Sequence, residues 1–195
     1  YWLLPRLSVF RQRYPEIDIR ILTSQGKSNF TSNEVDVEIV LGDGQFARRR
    51  SFLLFREEAF PVCSPGFLEQ HGPIKSAAAL AKLPLLKLDA DDGQHWLDWK
   101  KLFRAIDINV EFGEPVMSFN NYTLLIQAAI AGQGVCLGWG TLIDELLDSG
   151  LLVALPEFSV SSDLGYYVVE SDNSEPAPEI DCFVAWLNEL EQRVV

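Results

Sequence analysis

Basic residues, histidine, cysteine and long apolar runs are all scarce in this chain of 195 residues, and each scarcity excludes a class of function. With 16 Lys and Arg against 28 Asp and Glu, the formal charge is −12, so the surface repels phosphate backbones and the chain does not itself grip nucleic acid. The basic run Arg48-Arg49-Arg50 reads as a solvated loop. Cys63, Cys136 and Cys182 are few, far apart and set among apolar residues, which describes reduced, buried thiols rather than a disulfide framework. His71 and His95 add too little to make a metal set, so no metal and no cofactor are expected. No apolar run approaches the roughly 18 residues of a membrane span, and the start, Tyr-Trp-Leu-Leu-Pro-Arg, has no signal-peptide pattern. A cytoplasmic location is therefore the default, with an export signal upstream of Tyr1 as the way it would fail.

Catalytic signatures are missing as well. Gly42-Asp-Gly44-Gln-Phe-Ala47 has the loosest form of a dinucleotide fingerprint, but a second apolar strand follows it instead of a helix opening on the glycines. There is no Gly-x-x-x-x-Gly-Lys phosphate loop and no Gly-x-Ser-x-Gly nucleophile elbow. Carboxylates without a distinctive pair remain, so the chain is not expected to be an enzyme.

What is present is organised around residues 116–139. Val116, Met117 and Phe119 form a short extended run, Asn120 or Asn121 can cap a helix, and Leu124, Leu125, Ala128, Ala129 and Ile130 supply its apolar stripe. Gly132 and Gly134 stop that helix before the apolar run from Val135 to Leu137, giving a βαβ crossover of a parallel sheet. Ligand sites in such sheets lie at the carboxyl ends of strands, where helix N–H groups point.

Along the rest of the chain, Leu3, Leu7, Phe10 and Tyr14 mark a helix from Trp2 to Tyr14, ended by Pro15. Ile17, Ile19 and Ile21 alternate as a strand, and Val35, Val37, Ile39 and Leu41 as another; Ser24 to Ser32 is a polar loop leading into a short helix. Phe52 to Phe55 and Ala59 to Cys63 read as two strands parted by Arg56-Glu57-Glu58, and Ser64-Pro65-Gly66 breaks the second. Further on come a short helix capped by Ser76, a strand at 85–88, an acidic loop at 89–93 and an amphipathic helix from His95 through Trp96, Trp99, Leu102, Phe103 and Ile106. A helix at 141–148, strands at 151–155 and 166–169, and a final helix through Ile180, Phe183, Val184, Leu187 and Leu190 complete the pattern.

Four stretches in order carry a family resemblance: Leu-Leu-Pro-Arg-Leu-Ser-Val-Phe-Arg-Gln-Arg-Tyr-Pro-Glu-Ile from Leu3, Asp-Val-Glu-Ile-Val-Leu-Gly-Asp-Gly from Asp36, Phe-Pro-Val-Cys-Ser-Pro-Gly-Phe-Leu from Phe60, and Gln-Ala-Ala-Ile-Ala-Gly-Gln-Gly-Val from Gln127. Together they resemble the effector-binding domain of LysR-type transcriptional regulators. The resemblance implies an α/β, two-lobed periplasmic-binding-protein-like (type II) fold, each lobe a mostly parallel sheet flanked by helices. Lobe I would be residues 1–64 and 162–195, and lobe II residues 65–161. It implies a small-molecule effector between the lobes and a homodimer or tetramer. DNA would be contacted only through a winged helix-turn-helix domain that is not in this chain, and there would be no membrane partner. In the family a strand precedes the first helix, whereas this chain starts at the helix, so a fragment or a lost strand is expected. The alternatives are an exported solute-binding protein of the same fold and a small two-lobed transferase or dehydratase.

Carried over to matching positions, the family's cleft contacts fall on Ser24, Asp43, Gln94 and Trp96. The helix-cap argument adds Asn120, and the strand-end argument adds Trp139. Core packing competes with cleft lining for both tryptophans and is favoured for Trp99 and Trp186. Members of the family often carry Thr or Ser at the Asp43 position, and an acid there disfavours a carboxylate effector. Asp43, Asp91 and Asp92 with two indole faces suit a cation, particularly a quaternary ammonium. A zwitterion whose anionic end meets Asn120, the helix start and Ser24 is the second possibility.

Overall fold

A computed structural model of the chain describes residues 1–23, 34–47, 49–89, 96–106, 113–171 and 177–191. The chain divides into two compact units. A central unit holds Glu58–Ser161 together with Tyr1, and a flanking unit holds Trp2–Glu57 with Ser162–Val195.

In the flanking unit, α1 (Leu3–Arg13) carries its proline in the first turn, where no backbone N–H is needed, and Arg11 and Arg13 in the last turn, where cations favour the helix dipole. Leu7 and Phe10 are buried, as the stripe predicts, and Leu4 and Val9 lie off it at 63% and 59% exposure. Phe10 meets α7 (Pro178–Glu191) through Phe183 and Trp186, with ring centroids 5.2 and 5.0 Å away. Arg13 forks onto both carboxylate oxygens of Glu189 at 3.1 and 2.8 Å. Beneath these helices run β1 (Val37–Gly42), β7 (Val160–Glu170) and β2 (Ser51–Cys63), with β7 in the middle and antiparallel to β1 from Val37↔Glu170 to Gly42↔Gly165. Arg49 pairs with Glu38 at 2.9 Å and Arg50 with Glu170 at 2.5 Å, so these two residues of the basic run fasten strand ends. Arg48 lies outside the described residues.

Two sequence expectations fail here for physical reasons. Residues 17–20 keep the alternation, with Ile17 and Ile19 half-buried and Asp18 and Arg20 exposed, but Ile21 is exposed as well and the stretch joins no ladder among the described residues; periodicity sets the faces of a strand and cannot supply a neighbour. The polar triplet Arg56-Glu57-Glu58 is not a turn, because β2 runs through it unbroken and Glu57 points inward with no exposure at all.

The central unit pairs the end of β2 with β5 (Cys136–Trp139) from Ala59↔Trp139 to Val62↔Cys136, and with β6 (Val153–Ala154), both antiparallel. The expected βαβ crossover is present as β4 (Met117–Phe119), α5 (Tyr122–Ile130) and β5. Between them lies β3 (Leu86–Leu88), parallel to β4 and joined in parallel to the start of β5 through Leu85↔Val135. The α/β class holds, with mixed pairing: the short strands are parallel, while the long β2 and β7 meet most of their partners antiparallel. Gly132, at φ +75°, ends α5, and Gly134 is required because a Cβ there would stand 2.4 Å from the Pro84 carbonyl oxygen.

Alternate residues of β2 and β5 enter two separate apolar clusters. Ala59, Cys63, Leu137 and Trp139 join Phe67, Leu80, Trp99 and Phe103, whereas Phe60, Val62 and Cys136 join Leu125, Ile126 and Ile143. The sheet is thus buried on both faces, and Cys63 and Cys136 belong to opposite ones. Ser64 caps α2 (Pro65–His71), a helix where the sequence suggested only a break, and Ser76 caps α3 (Ala77–Leu80). Asp98 caps α4 (Trp99–Ala105), so that helix begins three residues beyond Trp96. The expected helix at 141–148 is a 3-10 turn, Gly140–Ile143, followed by α6 (Asp144–Asp148). No helix among the described residues is long and apolar enough to cross a membrane.

Candidate functional site

In the central unit, Trp96 and Trp139 line one small pocket together with Leu86, Leu88, Asp98 and Leu137. Trp139 is 5% exposed; its N–H donates to the Tyr122 hydroxyl at 3.2 Å and its ring meets Tyr122 edge-on at 5.0 Å. Trp96 is half-buried, and its carbonyl accepts from Lys101 Nζ at 2.7 Å. Trp99 is a core residue whose Nε1–H donates to the Leu86 carbonyl at 2.8 Å. The pocket has room for about one water, ≈ 10 Å³, so a quaternary ammonium does not fit it as it stands. Lys87 and Asp98 also line it, and the Lys87 ammonium is paired with Asp89 at 3.1 Å.

The cap of α5 is Asn121 and not Asn120. Its Oδ1 accepts from the N–H groups of Thr123 and Leu124 at 2.9 and 3.2 Å, with the backbone extended as a capping residue requires. Asn120, one residue earlier, is exposed.

In the flanking unit, Asp43 is exposed at the end of β1, and its Oδ1 accepts from Gln45 N–H at 2.9 Å in a local turn. Gly44, at φ +85°, leaves room for the Tyr167 hydroxyl, which would lie 2.8 Å from a Cβ there. Ser24 and Gln94 lie outside the described residues, as do Asp91 and Asp92.

Sequence reasoning missed a polar group in this unit. Glu57 is fully buried and accepts from the Ser162 hydroxyl, and the Tyr166 phenol is pushed well above its ordinary range by burial and, second, by the charge of Glu57. The alternation Phe55, Glu57, Ala59 was the available signal, since it puts the carboxylate on the inward face. Among the described residues no three His, Cys, Asp or Glu side chains are placed to hold a metal.

The fold is that of effector domains of transcriptional regulators. The effector domain of AmpR of Pseudomonas aeruginosa superposes with a TM-score of 0.79 at 24% identity, covering 99% of this chain and 90% of that one. The AmpR effector binding domain from Citrobacter freundii gives 0.76 at 24% identity, covering 98% and 92%. Residues 1–192 match the LysR substrate binding domain model, and the chain belongs to that family, with its periplasmic-binding-protein-like (type II) α/β fold. It is 34% identical over 187 residues to the glycine cleavage system transcriptional activator of Escherichia coli K12, covering 96% of this chain. It is 29% identical over 194 residues to the HTH-type transcriptional regulator DsdC of the same organism, again over 96% of this chain. The chain spans about 60% of the length of the activator and 61% of DsdC. These relatives are regulators and not enzymes.

Proposed function

We propose that this chain is the effector-sensing domain of a LysR-type transcriptional regulator, working in the cytoplasm and reaching DNA through a domain outside it. A small metabolite would bind between lobe I and lobe II, contacting Ser24, Asp43, Gln94 and Trp96. Its differential affinity for two arrangements of the oligomer would alter DNA binding. The observation that supports this most is the family match across residues 1–192, in a chain whose relatives are transcriptional activators and regulators. Net charge of −12 is consistent with leaving DNA to another domain.

Likeness to an activator of glycine cleavage makes glycine and its N-trimethyl form, betaine, the first probes, with choline and succinate as cationic and dianionic controls. A zwitterion is the favoured class: Asp43 offers a carboxylate to its cationic end, and its anionic end would go to Asn120, the start of the following helix and Ser24. Calorimetric titration should show heat for glycine or betaine that Asp43→Ala abolishes. Binding of succinate alone, indifferent to that substitution, would reject the zwitterion.

The same reading calls for self-association. Leu4 and Val9 on α1 and Leu124 on α5 are exposed apolar groups, with Met117 on β4 and Val116 just before it, and a two-fold pairing of α1 of one copy with α5 of another would cover the two helices. Light scattering should find a dimer or larger for the wild type and a monomer for Val9→Asp. A wild-type monomer at high micromolar concentration would reject the pairing.

A further inference from the structure

The turn that follows β1 in the flanking unit carries Asp43 between two glycines, and each glycine has an aromatic ring where its side chain would stand. A Cβ on Gly42 would lie 2.9 Å from Phe46 Cζ, and one on Gly44 would lie 2.8 Å from the Tyr167 hydroxyl and 3.1 Å from its Cζ. The two rings also meet each other, with centroids 5.4 Å apart. Tyr167 stands on β7, between β1 and β2 and opposite Val40, so the sheet anchors its backbone while the far end of its ring reaches the turn. Asp43 is exposed, yet its Oδ1 is engaged by Gln45 N–H at 2.9 Å. An exposed side chain on a turn ordinarily moves among its rotamers, and a ligand that fixes it loses affinity in doing so. Here two rings and one hydrogen bond restrain the carboxylate before any ligand arrives.

We propose that Phe46 and Tyr167 are positioning residues that hold the turn at 42–46 in one conformation, so that Asp43 meets the effector through Oδ2 and selects an ammonium over a guanidinium. The inference rests on the reading of Asp43 as an effector contact and adds to it the chemical class of the cationic end. A guanidinium gains its strength by forking in plane onto both oxygens of a carboxylate. With Oδ1 turned to Gln45, that fork competes for one of its two bonds. An ammonium is a compact charge with rotatable donors, and one oxygen serves it. Loosening the turn lets the carboxylate rotate, and the discrimination goes with it.

Free glycine and guanidinoacetate share a carboxylate and differ in the cationic head, so calorimetric titration of the whole chain with both tests the selection. Wild type and Tyr167→Phe, which keeps the ring, should prefer glycine by about tenfold, and Tyr167→Ala should bring the two affinities to parity. A purely structural role for Tyr167 would weaken both compounds alike and leave their ratio unchanged. Amide exchange of Gln45, followed by NMR, reads the turn without any ligand. It should be about tenfold faster in Tyr167→Ala than in wild type or Tyr167→Phe. If Tyr167→Ala does not fold, Phe46→Ala carries the same comparison, with Phe46→Tyr as the variant that keeps the ring. An unchanged ratio in a variant that still binds, or Gln45 exchange that does not respond, overturns the proposal. Wild type that binds neither compound, with Gln45 exchange responding as stated, rejects Asp43 as a zwitterion contact and the selection with it, and upholds only the hold on the turn.

Discussion

The central and flanking units are held together differently. In the central unit the sheet is covered on both faces, so its strands send alternate residues into two apolar clusters, and α2, α3, α4 and α5 each begin at a side-chain cap. In the flanking unit every residue of β1 is only half-buried, α1 begins at Trp2 with no side-chain cap, and ion pairs of Arg13, Arg49 and Arg50 tie helices and strand ends. Apolar burial in the first and polar fastening in the second respond to different perturbations, which makes the contrast testable.

The largest effect belongs to the central core. Trp99→Ala removes a side chain that is 4% exposed, stacks on Phe103 at 5.7 Å and donates to Leu86, so it should cost about 3–5 kcal/mol in chemical denaturation. A loss below about 1 kcal/mol would mean that this core collapses around the gap and is not the source of rigidity. Next comes the cap. Asn121→Ala strips two N–H groups of their acceptor and should cost about 1 kcal/mol, while Asn120→Ala should be neutral; the reverse order would make Asn120 the cap.

How much of this was legible turns on the range of the interaction. The α1 stripe and the passage from Asn121 to Gly134 could be read because their physics is local: a cap, a 3.6-residue period, a glycine at positive φ. The continuity of β2 could not, because the partner of Glu57 is Ser162, more than a hundred positions away, and a polar triplet seen alone resembles a turn. Trp96 and Trp139 share the lining of one small pocket, and the indole of Trp139 is packed against Tyr122. Burial of an aromatic ring depends on which neighbours the sheet supplies, and composition does not encode that.

A smaller effect should separate the units by salt. The Arg13–Glu189 pair is about half exposed on both sides, so Arg13→Ala should cost far less than Trp99→Ala and what cost there is should fade in high salt. Trp99→Ala should cost the same at both ionic strengths. Equal salt dependence of the two variants would erase the distinction between polar and apolar fastening.

The smallest effect on stability, and the sharpest on chemistry, lies with the thiols. Cys63 and Cys136 are fully buried in the central unit, while Cys182 on α7 is half-buried, which corrects the expectation of three buried thiols. Burial pushes the Cys63 thiol from its ordinary 9.0 up to about 11 and pushes Cys136 further in the same direction. Thiolate is the reactive form, so at pH 8 a disulfide reagent should modify Cys182 alone, and the other two should react only after denaturant is added. Because the folded state keeps the Cys63 proton longer than the unfolded state does, its neutral form is no disadvantage below pH 9, and stability should fall as the pH rises from about 9 to about 11. Cys63→Ser should remove part of that alkaline loss, whereas Cys182→Ser should not. Rapid modification of Cys63 at pH 8 in native protein would show that the central unit opens where both of its sheet faces are covered.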